Sequence, residues 1–136
     1  MKFKYLGTLS ENISEYWKIQ EHKNKPILVY NDRKKHVIDN HLKDFGTVEK
    51  IEEVFKYLPT IINKPDYVFY NKKTKGLEYY KRIDSDICVA VRVNSGKVLK
   101  VKSWNPANKS KLKNRMKKDE DLKLIKEERE RTELPS

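Results

Sequence analysis

The hydrophobic period of this chain changes at Pro65, and that change constrains its fold more than any other feature. Before it, Val48, Ile51, Val54, Phe55, Leu58 and Ile62 recur at three- and four-residue spacing, the pattern of one buried helix face. After it, apolar residues alternate: Val89, Val91 and Val93 are interleaved with Cys88, Ala90 and Arg92, the period of a half-buried strand. Helices first and an antiparallel sheet afterwards define an α+β domain.

The punctuation supports that order. Ser10 precedes a helical stretch to Gln20, and Lys25-Pro26 ends it. Ile27 to Tyr30 is a short apolar run suited to a strand. Asn31-Asp32 opens a helix to about Lys43, with Ile38, Leu42 and Phe45 on one face. Thr47 caps the next helix, in which Pro59 marks an end or a kink. Tyr67–Tyr70, Leu77–Ile83, Ile87–Val93 and Val98–Trp104 then read as a four-stranded antiparallel meander. Beyond Asn105-Pro106 a polar helix is predicted from about Lys109 to Arg131, peripheral to the core.

With 136 residues the chain is about one domain. Its net charge is +11, from 31 Lys and Arg against 20 Asp and Glu, which favours a polyanionic partner. Residues 1–118 carry +14, and the acidic tail from Asp119 subtracts three. From Ile87 to Lys118 there are ten cations and no acid. A lone cysteine, Cys88, excludes an internal disulfide and any cysteine-rich zinc site. No apolar run has membrane-spanning length, no signal-peptide block follows Met1, and no glycine-rich phosphate loop appears. The chain therefore reads as cytoplasmic, without cofactor or membrane partner.

Strand alternation sorts the sheet's side chains. With Val89, Val91, Val93, Leu99 and Val101 facing the helices, Arg92, Lys100, Lys102 and Trp104 share the opposite face, joined by Tyr80 and Arg82 from the preceding strand. Cations for phosphates and rings for bases are what a single-stranded nucleic acid requires. An ordinary solvated face is the plain alternative. Two imidazoles, His36 and His41, can supply a general base and a general acid for RNA cleavage through the ribose 2′-hydroxyl. Five residues apart on one helix, they point about 140° from each other, so the spacing does not by itself unite them. They are poor metal ligands at that spacing. Ser103 closes the last strand, where its hydroxyl either contacts a phosphate or follows the buried parity of Leu99 and Val101. The facing of Lys81 is ambiguous, Cys88 suits the core, and His22 reads as a surface residue.

The segments His36-Val37-Ile38-Asp39-Asn40-His41, Asn63-Lys64-Pro65-Asp66, Tyr79-Tyr80-Lys81, Ile87-Cys88-Val89-Ala90-Val91 and Val98-Leu99-Lys100-Val101-Lys102-Ser103 together resemble the phage-associated barnase–EndoU–colicin–RelE-like (BECR) nucleases over about residues 27–104. The resemblance implies helices followed by a four-stranded meander, with an N-terminal helical extension (1–26), a nuclease core (27–105) and a charged helical tail (106–136). It implies a metal-independent endoribonuclease, toxin-like and of phage or mobile-element origin, leaving a 2′,3′-cyclic phosphate and a 5′-hydroxyl. His36, His41, Lys81 and Ser103 match its catalytic positions. Tyr80, Arg92, Lys100, Lys102 and Trp104 are the RNA-binding candidates from the charge and facing argument. RNA is the expected partner, with an acidic antitoxin or immunity protein as the second. A non-catalytic RNA-binding module using the same sheet face is the alternative.

Overall fold

The computed structural model describes residues 2–118. Its elements run β1 (Phe3–Thr8), α1 (Glu11–Tyr16), a 3-10 turn (Gln20–His22), β2 (Pro26–Tyr30), α2 (Asp32–Phe45), α3 (Val48–Asn63), β3 (Tyr67–Asn71), β4 (Gly76–Arg82), β5 (Asp86–Arg92), β6 (Leu99–Pro106) and α4 (Lys109–Lys118). Of the helix predicted from Lys109 to Arg131, α4 is the described part; residues 119–131 lie outside the described residues. No helix among them is long and apolar enough to cross a membrane.

The sheet has six strands, in the order β1-β2-β6-β5-β4-β3. Its last four strands are consecutive antiparallel neighbours, and β2 adds to β6 in parallel. The expected four-stranded sheet is thus extended by β2 and by an unanticipated strand, β1. In β1 Phe3 and Tyr5 turn outward while Lys4 turns toward Phe55, so no inward apolar alternation announces the strand. Helices α2 and α3 cover one face and bury Leu77, Tyr79, Val89, Val91, Leu99 and Val101 with Val37, Ile51, Leu58 and Ile61.

Local chemistry sets the helix bounds. The Ser10 and Thr47 side chains accept the backbone N–H groups of Ile13 and Lys50, at 3.2 Å each. Gly46, at φ 88°, ends α2 in the left-handed conformation that a glycine adopts without steric cost. Pro59 sits inside α3 rather than ending it, and the Asn63 side chain donates to its carbonyl at 2.7 Å. The same amide donates to Leu6 O at 2.8 Å and clamps β1 to the helix end.

Two expectations about facing are corrected. The buried line of α2 runs through Val37, half-buried His41 and Phe45, while Leu42 is 37% exposed. His22 is not free surface: Nδ1 lies 2.8 Å from Lys25 Nζ, which also donates to Asn94 O at 3.0 Å. Burial and then the Lys25 charge lower the His22 pKa, with Glu21 opposing. The neutral ring is therefore the folded form's preference, and its stabilisation is present above about pH 6.5 and fades as pH falls toward the lowered folded value. A His22→Gln protein is expected to lose less thermal stability between pH 7.5 and 5.5 than the wild type; equal losses by calorimetry would refute the assignment.

Candidate active site

The strands β2 and β6 pair only at Ile27–Leu99 and Leu28–Lys100. Past that point they part, β2 ends at Tyr30, and the first turn of α2 closes one wall of the opening. The result is a cleft of about 310 Å³. Tyr30, Asp32, Arg33 and His36 line it from β2 and α2, and Arg92, Lys100 and Lys102 line it from β5 and β6. Asp32 and Arg33 stand four and three residues before His36, one face of a helix.

The cations of this cleft are placed at a cost. Arg92 and Lys100 are directly opposite each other across the β5–β6 pair, where like charges destabilise a sheet. Lys100 Nζ rests 5.1 Å from the centroid of the Tyr30 ring, which offsets part of that repulsion. No carboxylate among the described residues pairs with Arg92, Lys100 or Lys102. Asp32 is the acid in the lining, and it contacts Arg33 at 3.7 Å. Four cations thus face one carboxylate around a single imidazole. Such an arrangement is complementary to a phosphate-bearing anion.

His36 is held from one side. Asn40 Nδ2 donates to the His36 carbonyl at 2.8 Å and lies 3.4 Å from its Nδ1. Nε2 makes no hydrogen bond among the described residues, so that edge is open to a ligand.

Lys102 owes its position to a β-bulge. Ala90 pairs with Ser103 and Val91 with Val101, which leaves Lys102 as the extra residue of β6. A bulge re-aims side chains and shifts the alternation by one. It therefore overturns the expected facing of both residues that follow. Trp104 is fully buried against Phe55, its Nε1 donating to Ile51 O at 3.3 Å, and is unavailable for base stacking. Ser103 shares the parity of Ala90, away from α2 and α3. Its Oγ is buried without a hydrogen-bond partner among the described residues, and Ser103 is not part of the cleft lining.

Tyr80 is also corrected. It points away from α2 and α3 as expected, but it is buried with Phe69 and Cys88 against Leu112 and Met116 of α4. Its hydroxyl donates to Glu78 Oε1 at 3.0 Å, and burial, with Cys88 and Glu78 beside it, pushes its pKa up. Sequence alternation assigns a face but not what later covers it.

The remaining candidates stand apart from the cleft. His41 Nδ1 contacts Asp44 Oδ2 at 3.0 Å. Lys81 Nζ donates to Lys64 O at 2.7 Å and contacts Asp66 at 3.6 Å, fastening β4 to the segment after α3. Of the sequence candidates, His36, Arg92, Lys100 and Lys102 converge. Tyr30, Asp32 and Arg33 join them unforeseen, although their place at a strand-to-helix junction beside His36 was readable.

The six-stranded mixed sheet, with α2 and α3 on one face and α4 over part of the other, thus carries a cationic cleft that holds an imidazole. Residues 4–114 match the family described as phage-Barnase-EndoU-ColicinE5/D-RelE like nuclease 3, and the chain belongs to it. The match takes in β1 and reaches into α4, beyond the 27–104 span of the sequence resemblance. No curated protein and no solved structure matches the chain.

Proposed function

We propose that this protein is a metal-independent endoribonuclease whose active site is the β2–β6 cleft. The observation that carries the reading is the convergence of His36 with Arg33, Arg92, Lys100 and Lys102 around one opening. His36 takes the proton of a ribose 2′-hydroxyl, and the oxygen so freed attacks the adjacent phosphorus. The guanidinium and ammonium groups offset the charge that builds on the phosphorane oxygens. The P–O5′ bond then breaks, leaving a 2′,3′-cyclic phosphate. The proton held by the imidazole returns, through the solvent of the open cleft, to the departing 5′-oxygen.

Because the charge is offset by side chains, cleavage is expected to persist in EDTA. The 3′-side product should carry a 5′-hydroxyl, detectable as direct labelling by polynucleotide kinase without prior dephosphorylation. Cleavage abolished by EDTA, or 5′-phosphate ends, would defeat the mechanism. The toxin-like role and an acidic neutralising protein belong to the same proposal, and in this assay such a protein would block cleavage by covering the cleft.

One observation favours a second reading, a binding module without turnover. His41, Lys81 and Ser103 lie outside the cleft, so a single imidazole serves it. Tight, salt-sensitive RNA binding with intact RNA after prolonged incubation would establish that reading instead.

A further inference from the structure

The face of the sheet that carries Arg92 and Lys100 continues past the cleft onto β2 and β1. Register fixes what it presents there. Leu28 pairs with Lys100, Tyr5 with Leu28 and Phe3 with Tyr30, so all of these side chains share one face. Phe3 and Tyr5 are 56% and 58% exposed, the two most exposed large hydrophobic side chains among the described residues. Exposed aromatic rings side by side on a strand are unfavourable in water unless something covers them.

These rings are ordered relative to the cleft. The Phe3 ring meets Tyr30 edge-on, with centroids 5.8 Å apart, and Tyr30 is itself a wall of the cleft under Lys100 Nζ. The strand beneath them is pinned by pairing to β2 and by the Asn63 amide on Leu6 O. A track therefore runs from Arg92 and Lys100, across Tyr30, to Phe3 and then along β1 to Tyr5.

We infer that Phe3 and Tyr5, continuing from Tyr30, form a stacking platform for unpaired nucleotides flanking the phosphate held in the cleft. This inference rests on the cleft being a nucleic-acid site, and it names the substrate as single-stranded. Cations for the backbone followed by a row of rings is how single strands are held without base-pair readout. Alternate residues of a strand are about 6.6 Å apart, roughly twice the rise of stacked bases, so the rings take bases that have been splayed from one another. A duplex keeps its bases stacked and paired and presents none to the rings. Charge selects the occupant: through Tyr30 the platform adjoins the cleft of Arg92 and Lys100, and β1 contributes no acid.

The test uses a deoxythymidine oligomer, which lacks the 2′-hydroxyl and reports binding whether or not the protein cuts RNA. Phe3→Ala/Tyr5→Ala is expected to weaken its binding at least about 20-fold by fluorescence titration, since each stacked base contributes a factor of about 5 to 150. The logarithmic salt slope should stay unchanged, whereas Arg92→Ala should lower it by about one. Phe3→Leu/Tyr5→Leu separates stacking from general apolar contact and should bind nearly as weakly as the alanine variant. Affinity for a duplex of equal length should not respond to either. If the alanine variant binds the single strand like the wild type while Arg92→Ala does not, the platform is wrong and the cleft stands. Rings that instead serve a protein partner would give that same result. If neither variant affects binding, the cleft itself is not a nucleic-acid site.

Discussion

His36→Ala is expected to reduce RNA cleavage by about 10²- to 10⁴-fold, the range that a positioned acid–base group contributes. Binding of a deoxythymidine oligomer should change far less, because Arg33, Arg92, Lys100 and Lys102 remain. The separation matters: a loss of both properties together would mean that the substitution disturbed the cleft rather than its chemistry. His41→Ala provides the internal comparison. Its ring contacts Asp44 outside the cleft lining, so its removal is expected to leave the rate within a few-fold of wild type. A rate undiminished in His36→Ala by gel assay would remove this imidazole from the mechanism. A collapse in His41→Ala alone would move the active site along α2.

Trp104→Ala should be the most destabilising single change considered. The indole is fully buried, tilted against Phe55 with ring centroids 5.5 Å apart, and bonded to the α3 backbone, so it joins β6 to the helix layer. Removing a buried ring of this size costs about 3–5 kcal/mol, the cost growing with the cavity left behind. Against a total of about 5–15 kcal/mol for a typical domain, that leaves a marginal fold. Trp104→Phe keeps most of the apolar volume but abandons the bond to Ile51 O, and about 1 kcal/mol is expected to be lost. Urea unfolding measures both. A Trp104→Ala protein as stable as wild type but deficient in RNA binding would restore the exposed, base-stacking tryptophan that alternation predicts.

The contrast between these two positions shows which features the sequence made legible. His36, Arg92, Lys100 and Lys102 could be nominated because charge and imidazole chemistry are properties of the residue, and β6 alternates regularly as far as Lys102. Trp104 could not be placed, because one unpaired residue reverses the parity beyond it and a bulge leaves no mark in Leu99-Lys100-Val101-Lys102-Ser103-Trp104. Tyr80 differs for another reason: alternation assigns its face, but α4 folds over that face from outside the sheet. The α3 helix, with its Thr47 cap and three-four spacing, was visible because its burial pattern is local. In α2 the apolar residues are too few to choose between two adjacent stripes, and packing selects Val37 and Phe45 over Leu42. The strand β1 is hidden in the sequence because its outward rings and inward Lys4 invert the usual pattern.

The Arg92–Lys100 pair has a thermodynamic corollary. Two facing cations make the empty protein less stable than its core alone would allow, and an anion between them relieves that strain while gaining affinity from it. Mobile ions screen both effects. Raising ionic strength therefore acts with opposite signs on the same two side chains, steadying the free protein as it loosens its hold on a polyanion. Folding and binding here draw on a single electrostatic reserve, and the protein holds its ligand best under the conditions in which it is least content without one.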